Sequence, residues 1–136
     1  MKIDGIVETA LHVEDVARSA AFYERLFELR RLASDDRFCA FEVPGNAVLL
    51  LFRKGGALAP VSIPGGVIPP HDGSGRMHFA FKISLGSLEA CERELKKQGV
   101  AIESRVNWPR GGASLYFRDP DEHLVELITP GCWEVY

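Results

Sequence analysis

From Ile6 to Val13 the chain alternates, with Val7, Thr9, Leu11 and Val13 on one side and Glu8, Ala10 and His12 on the other, the two-residue period of a half-buried strand. The period then lengthens: Val16, Ala20, Tyr23 and Phe27 recur at helical spacing, so a helix is expected from an Asp15 N-cap to about Leu29. A short strand near Leu32, strands at Phe38 to Val43 and Ala47 to Phe52, and a Pro44-Gly45-Asn46 turn complete a β-α-β-β-β unit. Residues 54–76 are dense in Gly and Pro and read as a linker with little capacity for regular structure. The unit then restarts. Met77 to Ile83 is the matching strand, with Met77, Phe79, Phe81 and Ile83 on one face and His78, Ala80 and Lys82 on the other. Ser87 is expected to cap a helix carrying Leu88, Cys91 and Leu95, with Gly99 at its left-handed end. Strands at Ala101 to Val106, Ala113 to Arg118 and His123 to Thr129 follow, the last pair joined by a second Pro-containing turn.

The second unit repeats the first residue for residue at its informative strands. Glu8 to Val13 lies over His78 to Ile83, and Phe41 to Leu50 lies without a gap over Phe117 to Glu126. Two copies about 70 residues apart are too few and too long for a solenoid, so the reading is an α+β fold. It makes residues 1–136 one domain, in which a module of about 4–53 and a module of about 77–131 pair across a pseudo-twofold axis. Equivalent positions then converge on that axis. Three of the four equivalents, Glu8, His78 and Glu126, can coordinate a metal; the fourth is Leu50. Leu124, Glu126 and Ile128 share one face of the last strand.

Two carboxylates in a partly apolar cleft repel one another and resist desolvation unless a cation neutralises them. A divalent ion held by Glu8, His78 and Glu126 removes the conflict and keeps coordination positions open, as in catalytic sites. Oxygen and nitrogen donors without sulfur suit Zn, Mn, Ni, Co or Fe(II).

Composition narrows the partners. With 46% hydrophobic and 26% charged residues and a net charge of −3, the chain has the balance of a soluble globular protein, and no cluster of Lys and Arg beside aromatics marks nucleic acid or an anionic membrane as a partner. Cys39, Cys91 and Cys132 are an odd number at wide spacing, which argues against both a disulfide framework and a thiolate zinc site. A reducing, cytoplasmic location is expected, and Asp4 and Glu8 interrupt any apolar run at the N-terminus.

Three segments together carry a family signature: His12 to Tyr23, Met77-His78-Phe79-Ala80-Phe81, and Tyr116 to Glu126 around Asp119-Pro120-Asp121. On these the chain resembles the vicinal oxygen chelate superfamily of glyoxalases, extradiol dioxygenases, fosfomycin thiol transferases and bleomycin-binding proteins. The resemblance implies two modules forming a cupped mixed sheet around one divalent metal, usually in a homodimer. It implies ligands at Glu8, His78 and Glu126, with Glu8 standing where His or Gln is commoner. Leu50 occupies the place of a further carboxylate in glyoxalase-like members. Tyr116 falls where several relatives place a phenol that reaches metal-bound substrate.

Other residues are candidates on chemistry alone. His12 shares the face of Glu8 but lies about 7 Å along the strand, close enough for substrate contact. His71, in the Pro69-Pro70-His71-Asp72-Gly73 segment, is a candidate base if that loop enters the cleft; His123 reads as an ordinary turn residue. Trp108-Pro109-Arg110-Gly111-Gly112 forms a loop in which Trp108 and Arg110 are candidates for substrate binding.

The expected function is a divalent-metal-dependent enzyme that chelates adjacent oxygens of a small substrate, lyase- or isomerase-like more than dioxygenase, because dioxygenases favour two histidines with one carboxylate. Thiol transfer to a phosphonate calls for a cationic pocket, and Ile128 to Tyr136 supplies no Arg or Lys. The alternative, of the bleomycin-resistance type, is a metal-free dimer that sequesters an aromatic ligand between Trp108, Trp133 and Phe side chains.

Overall fold

A computed structural model of the chain describes residues 1–136 as two compact units, Met1–Gly75 and Arg76–Tyr136. The first contains β1 (Glu8–Val13), α1 (Val16–Phe27), β2 (Arg31–Ser34), β3 (Phe38–Val43), β4 (Ala47–Arg53), β5 (Val61–Ile63) and β6 (Gly66–Ile68). The second contains β7 (His78–Lys82), a 3-10 turn (Leu85–Ser87), α2 (Leu88–Lys97), β8 (Ile102–Asn107), β9 (Ala113–Arg118) and β10 (Leu124–Ile128). Each builds a four-stranded mixed sheet, in the order β1-β4-β3-β2 and β7-β10-β9-β8, with the first strand parallel to the last.

In the first unit Asp15 caps α1 by accepting from the Arg18 amide at 3.0 Å, and the apolar stripe of Val16, Ala20 and Tyr23 is buried. That stripe packs against β3 and β4. The strand face carrying Leu11, Val13, Phe41, Leu49 and Leu51 is almost wholly inaccessible, each such side chain contributing about 1.5–3 kcal/mol relative to exposure. The β3–β4 turn uses Gly45 at φ 99° and Asn46 at φ 64°, a conformation Gly and Asn adopt at low cost.

The second unit follows the same plan, with Phe117, Leu115, Val125 and Leu127 buried beside α2, which contacts β8 and β9. Its registers match those of the first: Glu8 pairs Val48 and Ala10 pairs Leu50, while His78 pairs Leu124 and Ala80 pairs Glu126. Leu50 and Glu126 are therefore structural equivalents.

Two local expectations are corrected. The segment 54–76 is not featureless, because β5 and β6 pair as a hairpin around Pro64-Gly65-Gly66 with Val61 opposite Ile68. Its β-branched residues suffice for a ladder despite the flanking Gly and Pro. Nor does the Ser87 hydroxyl cap α2; it donates to the Ser84 carbonyl within the preceding 3-10 turn. Gly99 takes φ 72° just past α2, as its position predicts. No helix is long and apolar enough to cross a membrane.

Candidate functional site

In the second unit, β7, β10 and β9 place His78, Glu126 and Tyr116 on the face turned away from α2 by simple alternation: Phe79, Val125 and Phe117 point the other way. Glu126 is only 5% exposed. Tyr116 Oη donates to Glu126 Oε1 at 2.8 Å, and His78 Nε2 lies 3.3 Å from Glu126 Oε2.

The other imidazole nitrogen decides what that second contact means. His78 Nδ1 is 3.0 Å from the Leu124 carbonyl, which can only accept, so Nδ1 carries a proton. In the neutral ring Nε2 then turns a lone pair toward a carboxylate oxygen. Two acceptors at that separation need a cation between them, either a proton on Nε2 or a metal. Two donors each about 2.1 Å from a shared ion stand roughly 3–3.5 Å apart, so the observed spacing fits the donor set.

Tyr116 completes the group. Burial, then its hydrogen bond to Glu126 and that carboxylate's charge, push its phenol up to about 12; a bond with Ser114 works the other way. Ser114, fully buried, also accepts from Trp108 Nε1 at 2.8 Å, so Trp108 is anchored to the strand that carries Tyr116. Sequence reading overlooked Ser114, although alternation places it two residues from Tyr116 on the same face. Arg110 pairs with Glu134 at 2.9 Å near the surface, away from this cluster's hydrogen bonds.

His123 is not a peripheral turn residue. It is fully buried, and its Nδ1 accepts from the Met77 amide at 3.0 Å, fixing the start of β7 next to His78. The turn before it is held by Asp119 Oδ1, which accepts from the amides of Asp121 and His123 at 2.9 Å each.

In the first unit the face away from α1 forms a cleft of about 600 Å³, with Glu8 on its wall beside Ala10 and Leu50. Phe38 and Phe52 are stacked with centroids 6.0 Å apart, and the His71 ring meets Phe52 edge-on at 4.6 Å. The loop does bring His71 into this cleft: its amide donates to the Ala57 carbonyl, and Asp72 accepts from the Gly55 amide, closing the base of the 54–76 segment. His12 is 7% exposed beneath Phe52 and His71, with Asp72 3.8 Å from its Nε2. It therefore reaches the cleft through those neighbours. Gly73 fits there because a Cβ would stand 2.8 Å from His12 Nδ1.

Thus His78, Glu126 and Tyr116 are brought together, and Glu8 and His71 share the other unit's cleft. Within neither unit by itself are three or more His, Cys, Asp or Glu residues clustered to hold an ion.

Comparison with known proteins extends these observations. The family model Glyoxalase/Bleomycin resistance protein/Dioxygenase superfamily matches residues 5–127. The metallothiol transferase FosB of Bacillus licheniformis is 30% identical over 94% of this chain and 77% of its own length. The crystal structure of lactoylglutathione lyase from Agrobacterium tumefaciens superposes with a TM-score of 0.89 at 26% identity, covering 98% of this chain and 99% of that one. The fold is also that of the fosfomycin resistance protein FosX from Listeria monocytogenes, at TM-score 0.68 and 21% identity over 94% of each chain.

Proposed function

Because the chain belongs to the Glyoxalase/Bleomycin resistance protein/Dioxygenase superfamily, we propose that it is a divalent-metal-dependent enzyme acting on adjacent oxygens of a small molecule, with lyase- or isomerase-like chemistry. One observation carries this reading: His78 Nε2 and Glu126 Oε2 face each other at 3.3 Å while Nδ1 is committed to Leu124, a pair that calls for a cation. The names metallothiol transferase and lactoylglutathione lyase among its relatives support a metal and a small substrate.

In this reading His78, Glu126 and Glu8 hold the ion, whichever of Zn, Mn, Ni, Co or Fe(II) it is. When bound, the ion supplies Lewis acidity to chelated oxygens. Tyr116 keeps its proton at neutral pH, so its hydroxyl serves as a hydrogen-bond donor or acid toward a developing oxyanion. Its bond to Glu126 Oε1 also orients the carboxylate so that Oε2 is presented beside His78. His71, held edge-on over Phe52, is the base candidate on the other unit; Trp108 is the candidate for substrate contact, His12 acts only through Phe52 and His71, and Arg110 is engaged by Glu134. Thiol transfer to a phosphonate is disfavoured because the Glu8 cleft has a single guanidinium, Arg37, among largely apolar walls.

We further assign Glu8 to the second copy of a homodimer, so that each ion is shared by two chains. Metal content after reconstitution tests both points. Wild type should retain about one ion per chain, and Glu8→Gln, His78→Ala and Glu126→Gln little. Mixed dimers of Glu8→Gln with Glu126→Gln regain one intact site only if Glu8 acts across the dimer. Equal, negligible metal in wild type and variants would overturn the enzyme reading and favour metal-free sequestration of a ligand.

A further inference from the structure

The first unit's cleft has a polarity that the repeat does not dictate. Strand register sets its floor in rows on one face: Glu8 beside Val48, then Ala10 beside Leu50 and Ala40, then His12 beside Phe52 and Phe38. Four residues separate the first row from the third, about 13 Å along the strands. Glu8 therefore stands at one end and the Phe38–Phe52–His71 aromatic wall at the other. Leu50, the counterpart of Glu126, makes the middle apolar.

Arg37 lines the cleft at the aromatic end, one residue before Phe38. Its side chain is 43% exposed, and its guanidinium has one long contact, 3.4 Å, with Asp35, whose carboxylate already accepts from the Arg37 and Phe38 amides. That leaves most of the guanidinium's donor fork available to an anion. Val61 and Ile68, paired on the hairpin, add apolar wall, and the volume of about 600 Å³ lies within the roughly 300–1,000 Å³ of small-molecule sites.

We propose that this cleft binds a planar aromatic acid, the ring lying against Phe38, Phe52 and His71 and the acid group on Arg37. A carboxylate matches the fork of one guanidinium, and a flat ring matches the stacked wall, whereas a small phosphonate dianion finds one cation and much apolar surface. As a description of the substrate this inference rests on the proposed function above; binding of the aromatic acid itself requires no metal.

The experiment is calorimetric titration of the full-length protein, in EDTA, with 2-naphthoate, its neutral analogue 2-naphthalenemethanol, and methylphosphonate. Expected is saturable 2-naphthoate binding that weakens about tenfold or more in Arg37→Gln and with the neutral alcohol, recovers in large part in Arg37→Lys, and is unchanged in Val67→Glu, a hairpin residue outside the cleft wall. Leu50→Glu, with the second module's residue in the middle of the cleft, should also weaken it about tenfold; unfolding curves identify any variant that fails to fold. Absence of 2-naphthoate binding at millimolar concentration, an Arg37→Gln affinity within twofold of wild type, or preference for methylphosphonate overturns the proposal. Glu8→Gln keeps 2-naphthoate binding while losing metal, so failure of the metal reading and failure of this one are separately visible.

Discussion

Replacing Glu126 by Gln separates a metal-binding carboxylate from a structural ion pair. The change keeps shape and removes a charge that is 5% exposed. The amide oxygen still accepts from Tyr116, but a bond to a charged acceptor, about 1.5–3 kcal/mol, becomes a neutral one of about 0.5–1.5 kcal/mol. Against this loss of roughly 1 kcal/mol stands a new N–H donated to the His78 Nε2 lone pair, about 0.5–1.5 kcal/mol, together with relief of carboxylate desolvation. In EDTA the variant should therefore unfold within about 1 kcal/mol of wild type, some 3–5 °C in Tm for a chain of 136 residues. With Zn or Mn at about a hundred times Kd, wild type should gain about 2.7 kcal/mol and the variant nothing measurable. Parallel urea and thermal unfolding, with and without metal, reads both effects. A pair that is only structural predicts no metal-dependent gain in wild type, because no ion is then held between His78 and Glu126. That outcome would refute the reasoning.

The Tyr116 phenol should titrate near pH 12 in difference spectra of wild type against Tyr116→Phe, and fall only part of the way toward 10 in Glu126→Gln, since burial, the largest cause, remains when the carboxylate's hydrogen bond and charge are removed. Because the folded value is raised, this group's contribution to stability is complete below pH 10 and is lost as pH rises toward 12, where only the unfolded chain ionises readily; the Tyr116→Phe protein should lack that part of the alkaline decline. Asp15→Ala removes the cap on the Arg18 amide and should cost about 0.5–2 kcal/mol in urea unfolding without changing metal content. His123→Leu leaves the Met77 amide without its acceptor in a fully buried setting, a loss of about 1–3 kcal/mol, and should also weaken metal binding through the displaced start of β7.

Strand faces were legible in the sequence because the pleat has a fixed period of two, and the equivalence of Leu50 and Glu126 followed from the repeat; the register that sets Leu50 opposite Ala10 and Glu126 opposite Ala80 comes from long-range pairing and was not. Helix α1 was legible from its stripe and its cap. The β5–β6 hairpin was hidden because Gly and Pro density obscured two three-residue strands that exist only through each other. His123 and Arg37 were hidden for a different reason. The first is buried by a turn that folds back onto the Met77 amide, and the second gains its setting from a loop whose base closes through Ala57 and Asp72, contacts that leave no local pattern.

The duplicated frame explains why one substitution matters so much. In both units the parallel first and last strands present equivalent positions on the face away from the helix, so backbone geometry offers the same opportunity twice. At the second, a buried carboxylate is oriented by Tyr116 and faces His78, an arrangement that costs desolvation. At the first, Leu50 removes that cost and converts the same surface into an apolar cleft between Glu8 and the aromatic wall. The two copies of one module thus differ at this position, one carrying a buried carboxylate beside an imidazole and the other an apolar cleft with Glu8 at its end. Leu50→Glu should move the first copy toward the second: weaker binding of an aromatic acid in calorimetric titration, with the metal binding proposed for His78 and Glu126 unchanged.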